Sequence, residues 1–313
     1  MKPILRISIL LLFIILIYEN VNAQAHFVRN KTPLAGDTVF IVVTNRIYDT
    51  LNPDLLFGNF TDKGANKVMM VWYVNKTWQI QMLTSLQQGV DMLGKSKNWL
   101  VHIHGDGQHF PSMAYRAAGI QTLYDVNLIV YDIPTRMPGY GRIKNFYNSR
   151  KNIKKSTSQL CEFINMLSDV FHDNDSVSLH LHSLGTFAFK RCSAGKSLPL
   201  SPNFFDNIII DAPAVKKAGH KSWVESLQYQ NNIFITYNRG DRTLKGAGLI
   251  TFSTQLGLKG GNRKAANARY IDFSKAAYGF HNYYLDPRLI NHKPEVKHFY
   301  RSLFNGKVPE AIP

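Results

Sequence analysis

Residues 177–186 read Val-Ser-Leu-His-Leu-His-Ser-Leu-Gly-Thr, a strand pattern that passes directly into a helix pattern. The strand ends at Ser183, and Gly185 follows two positions later. This is the context of a nucleophile elbow, because a sharp turn lifts the serine hydroxyl above the sheet edge. The start of the next helix also directs free N–H groups toward that hydroxyl. Ser183 is therefore a candidate nucleophile, with a helix-capping serine as the alternative.

One position of this stretch departs from the usual elbow. The pattern normally has glycine two residues before the serine, because the backbone there passes close to the residue two after it. Leu181 occupies that position. The departure leaves open a distorted elbow or a lost activity.

Strand and helix patterns alternate on both sides of the stretch. The strand patterns are Val39–Thr44, Val68–Val74, Trp99–His104, Val126–Tyr131, Val177–His182, Asn207–Ile210, Ile233–Tyr237 and Tyr270–Phe273. The helix patterns lie near 112–123, 150–171, 184–195, 220–228 and 293–304. This alternation predicts an α/β fold with a doubly wound, mostly parallel sheet. The first two or three strands lack intervening helices, which allows an antiparallel edge.

The N-terminus and two unusual segments define the predicted organisation of the chain. Lys2 and Arg6 precede an apolar run over 7–18, which predicts a signal peptide over 1–23 and a secreted or periplasmic protein. An uncleaved membrane anchor is the alternative. The remaining residues, 24–313, are predicted to form one domain. Two segments, 134–149 and 245–268, are predicted to be cap or loop insertions.

Charge and cysteine content limit the class of protein. The formal net charge is +16, but the basic residues are scattered and no nucleic-acid motif accompanies them. We therefore expect no nucleic-acid partner; a solvated basic surface is the plain interpretation, and attraction to an anionic membrane surface is the functional one. Cys161 and Cys192 are the only cysteines and are interpreted as buried free thiols, with pairing left open. The sequence does not indicate an oligomeric state.

The partners that a serine nucleophile needs follow later strands in the required order of serine, acid and histidine. Asp241 follows the strand Ile233–Tyr237, and His281 follows the last strand. Asp211, after the preceding strand, is the rival acid. Upstream, a strand ends in His-Gly at 104–105, a turn that exposes backbone N–H groups. The N–H groups of Asp106 and Leu184 are therefore the candidate oxyanion donors.

Two other functions use the same residues. His102, His104, His180 and His182 lie at i and i+2 on two strands that this fold places side by side, and imidazoles at that spacing can share zinc. The plain alternative is core histidines bonded to backbone carbonyls. A hydrolase-like binding protein without activity is the second alternative, and Leu181 is the feature that favours it.

The residues resemble the alpha/beta-hydrolase superfamily, and within it a branch of largely uncharacterised bacterial serine hydrolases. The resemblance spans roughly residues 38–305. It is carried by segments that begin at Thr44, Ile103, Ala114, His182, Asn238 and Gly279. It differs at Leu181 and at Asp106-Gly107, where the branch has a small residue and Tyr-Asn.

The combined prediction is a secreted serine hydrolase that cleaves an ester or related acyl bond. Ser183 attacks, His281 is the base and Asp241 orients the base. His104, His182 and Phe280 are candidate substrate-binding residues. The predicted chemistry requires no cofactor and no metal ion, and the partner is a small-molecule or lipid ester.

Overall fold

The computed structural model describes residues 25–29, 31–34, 36–48, 57–94, 96–172, 174–194, 198–261 and 263–313. The predicted signal peptide lies outside these residues. Within them, no helix is both long enough and apolar enough to cross a bilayer.

The described strands form one large mixed sheet and one small hairpin. The strands are β1 Ala25–Phe27, β2 Val39–Thr44, β3 Arg46–Tyr48, β4 Phe57–Thr61, β5 Lys67–Val74, β6 Thr77–Leu83, β7 Trp99–Ile103, β8 Asn127–Asp132, β9 Val177–His182, β10 Phe205–Asp211, β11 Gln230–Tyr237 and β12 Ala268–Asp272. The large sheet has the order β1-β6-β5-β2-β8-β7-β9-β10-β11-β12, and β3 pairs with β4 separately.

The strands from β2 to β12 along this order run parallel, whereas β5 is antiparallel to both β2 and β6. The predicted doubly wound, mostly parallel fold with an antiparallel N-terminal edge is confirmed. Strands β2, β7, β8 and β9 are buried along their whole length. That burial explains why their sequences are rich in aliphatic residues.

The described helices cover both faces of the sheet. They are α1 Leu86–Leu93, α2 Phe110–Tyr124, α3 Arg142–Lys155, α4 Thr157–Val170, α5 Leu184–Ser193, α6 His220–Glu225, α7 Arg242–Thr251, α8 Pro287–Ile290 and α9 Pro294–Phe304. Helices α2 and α9 pack together in one layer, and α1, α3, α4 and α5 pack in the other. Because the strands from β2 to β12 in the order of the sheet are parallel, their carboxyl ends lie at one edge of the sheet, where a ligand site is expected.

The segment predicted to be a cap or loop insertion over 134–149 contains the whole first half of α3. The buried face of this helix carries the polar residues Asn145, Ser149 and Asn152, with only Phe146 and Ile153 apolar. Because most of its buried residues are polar, hydrophobic periodicity is too weak to reveal the helix. The single helix predicted over 150–171 is in fact α3 and α4, which meet at Ser156. The segment predicted over 245–268 likewise begins inside α7.

The two cysteines form a disulfide, so the interpretation of buried free thiols is wrong. Cys161 of α4 and Cys192 of α5 lie with their Cα atoms 5.5 Å apart, a spacing that a disulfide spans without backbone movement. The sequence placed each cysteine on a helix but gave no information on how the two helices pack.

We expect the double variant Cys161→Ser/Cys192→Ser to lose about 3 to 4 kcal/mol of unfolding free energy. The bond closes a loop with a sequence separation of 31 residues, and releasing it restores that conformational freedom to the unfolded chain. Urea unfolding of both proteins under oxidising conditions measures the difference. Wild-type protein unfolded with a reductant should match the variant, and equal midpoints without reductant would contradict the expectation.

Candidate active site

Ser183 lies in a strained backbone turn between β9 and α5. Its φ of 53° and ψ of −117° are unusual for a residue other than glycine. The segment after β10 holds the turn in place. The Ser183 N–H donates to Asp211 O at 2.9 Å, and the Ser183 carbonyl accepts from Ala214 N at 3.1 Å. Strain of this kind costs about 1 to 3 kcal/mol and persists where the surroundings impose it.

The close backbone contact of the elbow occurs at Gly185 and not at Leu181. A Cβ atom on Gly185 would lie 2.1 Å from the carbonyl oxygen of Ile103 on β7, so only glycine fits there. Leu181 is fully buried in the hydrophobic core. The strained turn therefore forms with leucine at the position where the usual pattern has a small residue.

The His104-Gly105-Asp106 turn lies directly beside Ser183. A Cβ on Gly105 would be 2.7 Å from the Cβ of Ser183, so the absence of a side chain allows this approach. Within the described part of the chain, neither Asp106 N–H nor Leu184 N–H donates a hydrogen bond. Two backbone donors next to a nucleophile are what an oxyanion hole requires.

The side chain of Asp106 anchors this turn to α3. Its Oδ1 accepts from Ser149 Oγ at 2.5 Å and from Asn145 Nδ2 at 3.0 Å. Burial raises the pKa of Asp106, and the hydrogen bonds from Ser149, Gly107 and Asn145 partly oppose that rise. The polar face of α3 thus fixes the orientation of the backbone that carries the Asp106 N–H.

A fully buried ion pair supports the turn from below. The Arg46 guanidinium contacts Asp132 at 2.6 Å, and it also donates to the Gln108 carbonyl at 3.0 Å. Burial alone would raise the pKa of Asp132, but the charge of Arg46, together with hydrogen bonds from His104 and Arg46, lowers it far below its usual value. The strand end Thr44-Asn45-Arg46 therefore stabilises the turn that carries Asp106.

The prediction of His104 as a substrate-binding residue does not agree with this geometry. Its Nε2 lies 2.9 Å from Asp132 Oδ1 and its Nδ1 lies 2.9 Å from the Gly105 carbonyl. The ring is buried, and both nitrogens are engaged within the protein. We assign His104 a positioning role behind the turn.

Asp241 and His281 form the second half of the site. Asp241 caps α7, accepting from Leu244 N at 2.9 Å through Oδ1. Its Oδ2 lies 2.6 Å from His281 Nδ1 and 3.4 Å from the Tyr283 hydroxyl.

Asn238 links the loop of Asp241 to the loop of His281. Its Nδ2 donates to the Phe280 carbonyl at 3.1 Å, and its Oδ1 accepts from Gly240 N at 2.8 Å. The imidazole is therefore held with Nδ1 directed at the carboxylate.

The serine and the histidine lie at the same edge without a direct hydrogen bond. Among the described residues, no hydrogen bond joins Ser183 Oγ to the His281 ring. His182, the residue before Ser183, contacts His281 directly. The centroid of its ring is 4.8 Å from that of the His281 ring, and its Nε2 is 3.4 Å from the His281 carbonyl oxygen.

His182 and Phe280, the other candidate substrate-binding residues, line this region in different ways. His182 is buried, and its pKa is well below the usual value because of burial and the nearby His281 and His180 rings. It is therefore neutral at physiological pH. Phe280 is half-buried, with the Arg288 guanidinium 4.5 Å above its ring.

Asp211, the rival acid, has a structural environment. Its Oδ1 accepts from Thr236 Oγ1 at 2.5 Å and from the Tyr300 hydroxyl at 2.6 Å. Within the described residues it makes no hydrogen bond to His281. These contacts tie β10, β11 and α9 together beneath the elbow.

The four strand histidines do not converge as metal ligands. His102 and His180 stack, with their Nδ1 atoms 3.0 Å apart, which places one as donor and the other as acceptor. Burial, followed by the charge of His180, lowers the pKa of His102 well below its usual value. The described part of the chain contains no group of three or more metal-ligating side chains. Both rings are buried, as the plain interpretation expects, but they bond each other, and His180 Nε2 faces Asp211 Oδ2 at 3.4 Å, so their contacts are not only to backbone carbonyls.

An apolar groove of 500 Å³ lies along α2. Its lining includes Trp78, His109 and Asn282, the residue after His281, but neither Ser183 nor His281 itself. Most of its lining surface is apolar, so the groove suits a largely apolar chain.

Comparison with known proteins places these features in a family. A model described as "Alpha/beta hydrolase of unknown function (DUF900)" matches residues 84–292. Esterase B from Lactobacillus rhamnosis HN001 is 11% identical, with 87% of this chain and 88% of that chain covered and a TM-score of 0.40. DphMB1 is 10% identical, with 88% of each chain covered and a TM-score of 0.37. No curated protein matches the chain significantly.

Proposed function

The chain belongs to the DUF900 family of alpha/beta hydrolases, and from this premise we propose that it is a secreted serine hydrolase that cleaves carboxylic esters. The observation that carries the proposal is the strained Ser183 turn. Beside it lie the N–H groups of Asp106 and Leu184, which donate no hydrogen bond within the described residues. The His281–Asp241 pair at the same edge supplies a base and its orienting acid. These are the parts that acyl transfer needs.

The proposed reaction has two steps. His281 Nε2 removes the Ser183 proton while Ser183 Oγ attacks the ester carbonyl, and Asp241 stabilises the imidazolium that forms. The oxyanion accepts from the N–H groups of Asp106 and Leu184, and the alcohol leaves with the proton that His281 held. Water, deprotonated by His281, then releases the acid and restores Ser183.

One feature supports the choice of substrate, and two support the choice of compartment. The groove along α2 includes Asn282 in its lining and has mainly apolar walls, so it suits an acyl chain. The Cys161–Cys192 disulfide is typical of proteins outside the reducing cytosol and agrees with export of the chain. The apolar run over 7–18 supplies the proposed signal.

The direct test is labelling with a fluorophosphonate, which modifies only an activated serine. Labelled protein is digested, and mass spectrometry locates the adduct. An adduct on Ser183 supports the proposal. Intact, folded protein that takes no label would favour the alternative of a hydrolase-fold binding protein.

Asp241→Asn should lower the rate of labelling and of ester hydrolysis by about 10⁴-fold, because asparagine favours the wrong tautomer of His281. Asp211→Asn is the matched control, since Asp211 is equally buried but bonds Thr236 and Tyr300. We expect Asp211→Asn to retain activity within about tenfold of wild type. Equal losses in the two variants would argue against Asp241 as the catalytic acid.

A further inference from the structure

Four large apolar side chains on α3 and at the C-terminal end of α7 are exposed to solvent. Ile143 and Tyr147 on α3 are 62% and 55% exposed, and Leu249 and Phe252 at the end of α7 are 78% and 96% exposed. The two helices meet here, because the Tyr147 hydroxyl donates to the Ile250 carbonyl at 3.1 Å. We call these four residues the apolar rim.

Phe252 is held outward by its backbone. It ends α7 in the left-handed conformation, with φ 48° and ψ 41°, which is unfavourable for a bulky residue. With almost its whole surface in water, the ring contributes no burial energy to the fold. A strained conformation that displays an aromatic ring to solvent points to a role outside the fold.

A basic pocket of 440 Å³ adjoins the apolar rim. Its cations are Arg150, Lys190, Arg191 and Lys216, and no carboxylate lines it. Within the described residues, none of the four forms a salt bridge. Burial lowers the pKa of both Arg150 and Lys190, and the charge of Arg191 lowers that of Arg150 further. We call these four residues the basic pocket. Arg150 and Lys190 lie over the Phe187 and Trp223 rings at 4.0 and 5.4 Å, so their charges are held in place without a carboxylate partner. Cations of this kind in a concavity suit an anionic group.

The apolar rim and the basic pocket form one continuous surface. Thr251 and Ser253, which flank Phe252, both line the basic pocket. Arg150 follows Tyr147 by three residues on α3, so the two side chains are neighbours on that helix. The same helices reach the site, since α3 holds Asp106 and α7 begins at Asp241.

We propose that this surface docks the protein on an anionic lipid bilayer. The apolar rim enters the acyl-chain boundary, and a lipid phosphate group occupies the basic pocket. A bilayer presents these two chemistries side by side, apolar chains beneath charged phosphates. The net charge of +16 adds long-range attraction of the same sign.

Docking deepens the proposed function by naming its substrate class, esters within a lipid surface. It rests on the proposed function only for that step, because binding to a bilayer does not require Ser183 to react. The Ser183→Ala protein should therefore bind vesicles as the wild type does. Failure of docking and failure of catalysis are thus observed separately.

The test is co-sedimentation of the full chain with vesicles of phosphatidylcholine, with and without phosphatidylglycerol. We expect binding to the anionic vesicles and little to the neutral ones, with weaker binding at higher salt. Leu249→Ser/Phe252→Ser should weaken binding at least about tenfold. Arg150→Gln/Lys190→Gln/Arg191→Gln should weaken it about 100-fold.

Matched controls lie away from this surface. Leu34 is 73% exposed and lies before the N-terminal end of β2, at the edge of the sheet opposite the one where the parallel strands end. Leu34→Ser should therefore bind as the wild type does. Lys31→Gln/Lys297→Gln/Lys307→Gln removes the same charge elsewhere. Thermal unfolding of each variant verifies that it folds.

Three results would overturn the proposal. The first is an absence of preference for anionic vesicles. The second is an equal loss of binding in the control triple and the basic-pocket triple, which would indicate attraction by net charge alone. The third is calorimetric binding of inorganic phosphate to the basic pocket without vesicle binding, which would assign the pocket to a free anion.

Discussion

Ser183→Ala is expected to lower kcat/KM for an activated ester by about 10⁴- to 10⁶-fold and to abolish labelling by a fluorophosphonate. The substitution removes the atom that attacks the carbonyl, so no acyl-enzyme can form. Alanine has the same backbone preferences at φ 53°, and the hydrogen bonds to Asp211 and Ala214 involve only main-chain atoms. The fold should therefore remain, with a free energy of unfolding within about 1 kcal/mol of wild type.

The matched control is Ser193→Ala. Ser193 lies on the same helix and is as buried as Ser183, but its hydroxyl bonds the Phe189 carbonyl and accepts from Trp223 Nε1. We expect this variant to retain activity within about threefold. Stopped-flow hydrolysis and intact-protein mass spectrometry measure the two effects. Hydrolysis by Ser183→Ala at the wild-type rate would place the chemistry on another residue.

The parts of the site that could be predicted are those that follow strands. Ser183, Asp241 and His281 lie in the segments that follow β9, β11 and β12, and parallel strands end at one edge, so chain order places the three residues at that edge. Pattern and topology carry this inference without any knowledge of side-chain contacts. The same reasoning placed the strand of His102 beside that of His180 and allowed an antiparallel edge, and the sheet has both features.

The supporting contacts could not be predicted, because they join polar residues that are distant in the sequence. Arg46 and Asp132 are separated by 86 residues, and Asn145 reaches Asp106 across 39. The helix that carries Asn145 buries only two apolar residues, Phe146 and Ile153, among three polar ones. The pairing of Cys161 with Cys192 likewise depends on how two helices pack. Sequence patterns report local burial, and these contacts depend on global geometry.

Leu181 shows how a motif can change without loss of the turn. The motif's glycine is usually explained by a close backbone approach, and here that approach falls on Gly185 and the Ile103 carbonyl. The leucine side chain instead fills the core beneath the strand. Leu181 was the feature that favoured a hydrolase-like binding protein without activity. Its place in the core, with the turn intact, does not support that alternative.

The largest stability effect is expected from Arg46→Met, about 3 to 5 kcal/mol of unfolding free energy at pH 7. The variant leaves the Asp132 carboxylate fully buried without its guanidinium partner. Arg239→Met is the control, because its guanidinium pairs with Asp272 at 3.1 Å and is 64% exposed. Exposed pairs contribute about 0 to 1 kcal/mol, so the control should change little. Urea unfolding of the three proteins measures the difference.

The effect of Arg46→Met should depend on pH in a defined direction. In the wild type the pKa of Asp132 is lowered by its partners, so its contribution to stability is fully present above the unfolded value of about 4. That contribution is lost as the pH falls toward the lowered folded value. The gap between wild type and Arg46→Met should therefore narrow below about pH 4. A gap that is the same at pH 7 and pH 3 would mean that packing of the Arg46 side chain, and not its charge, holds the turn that carries Asp106.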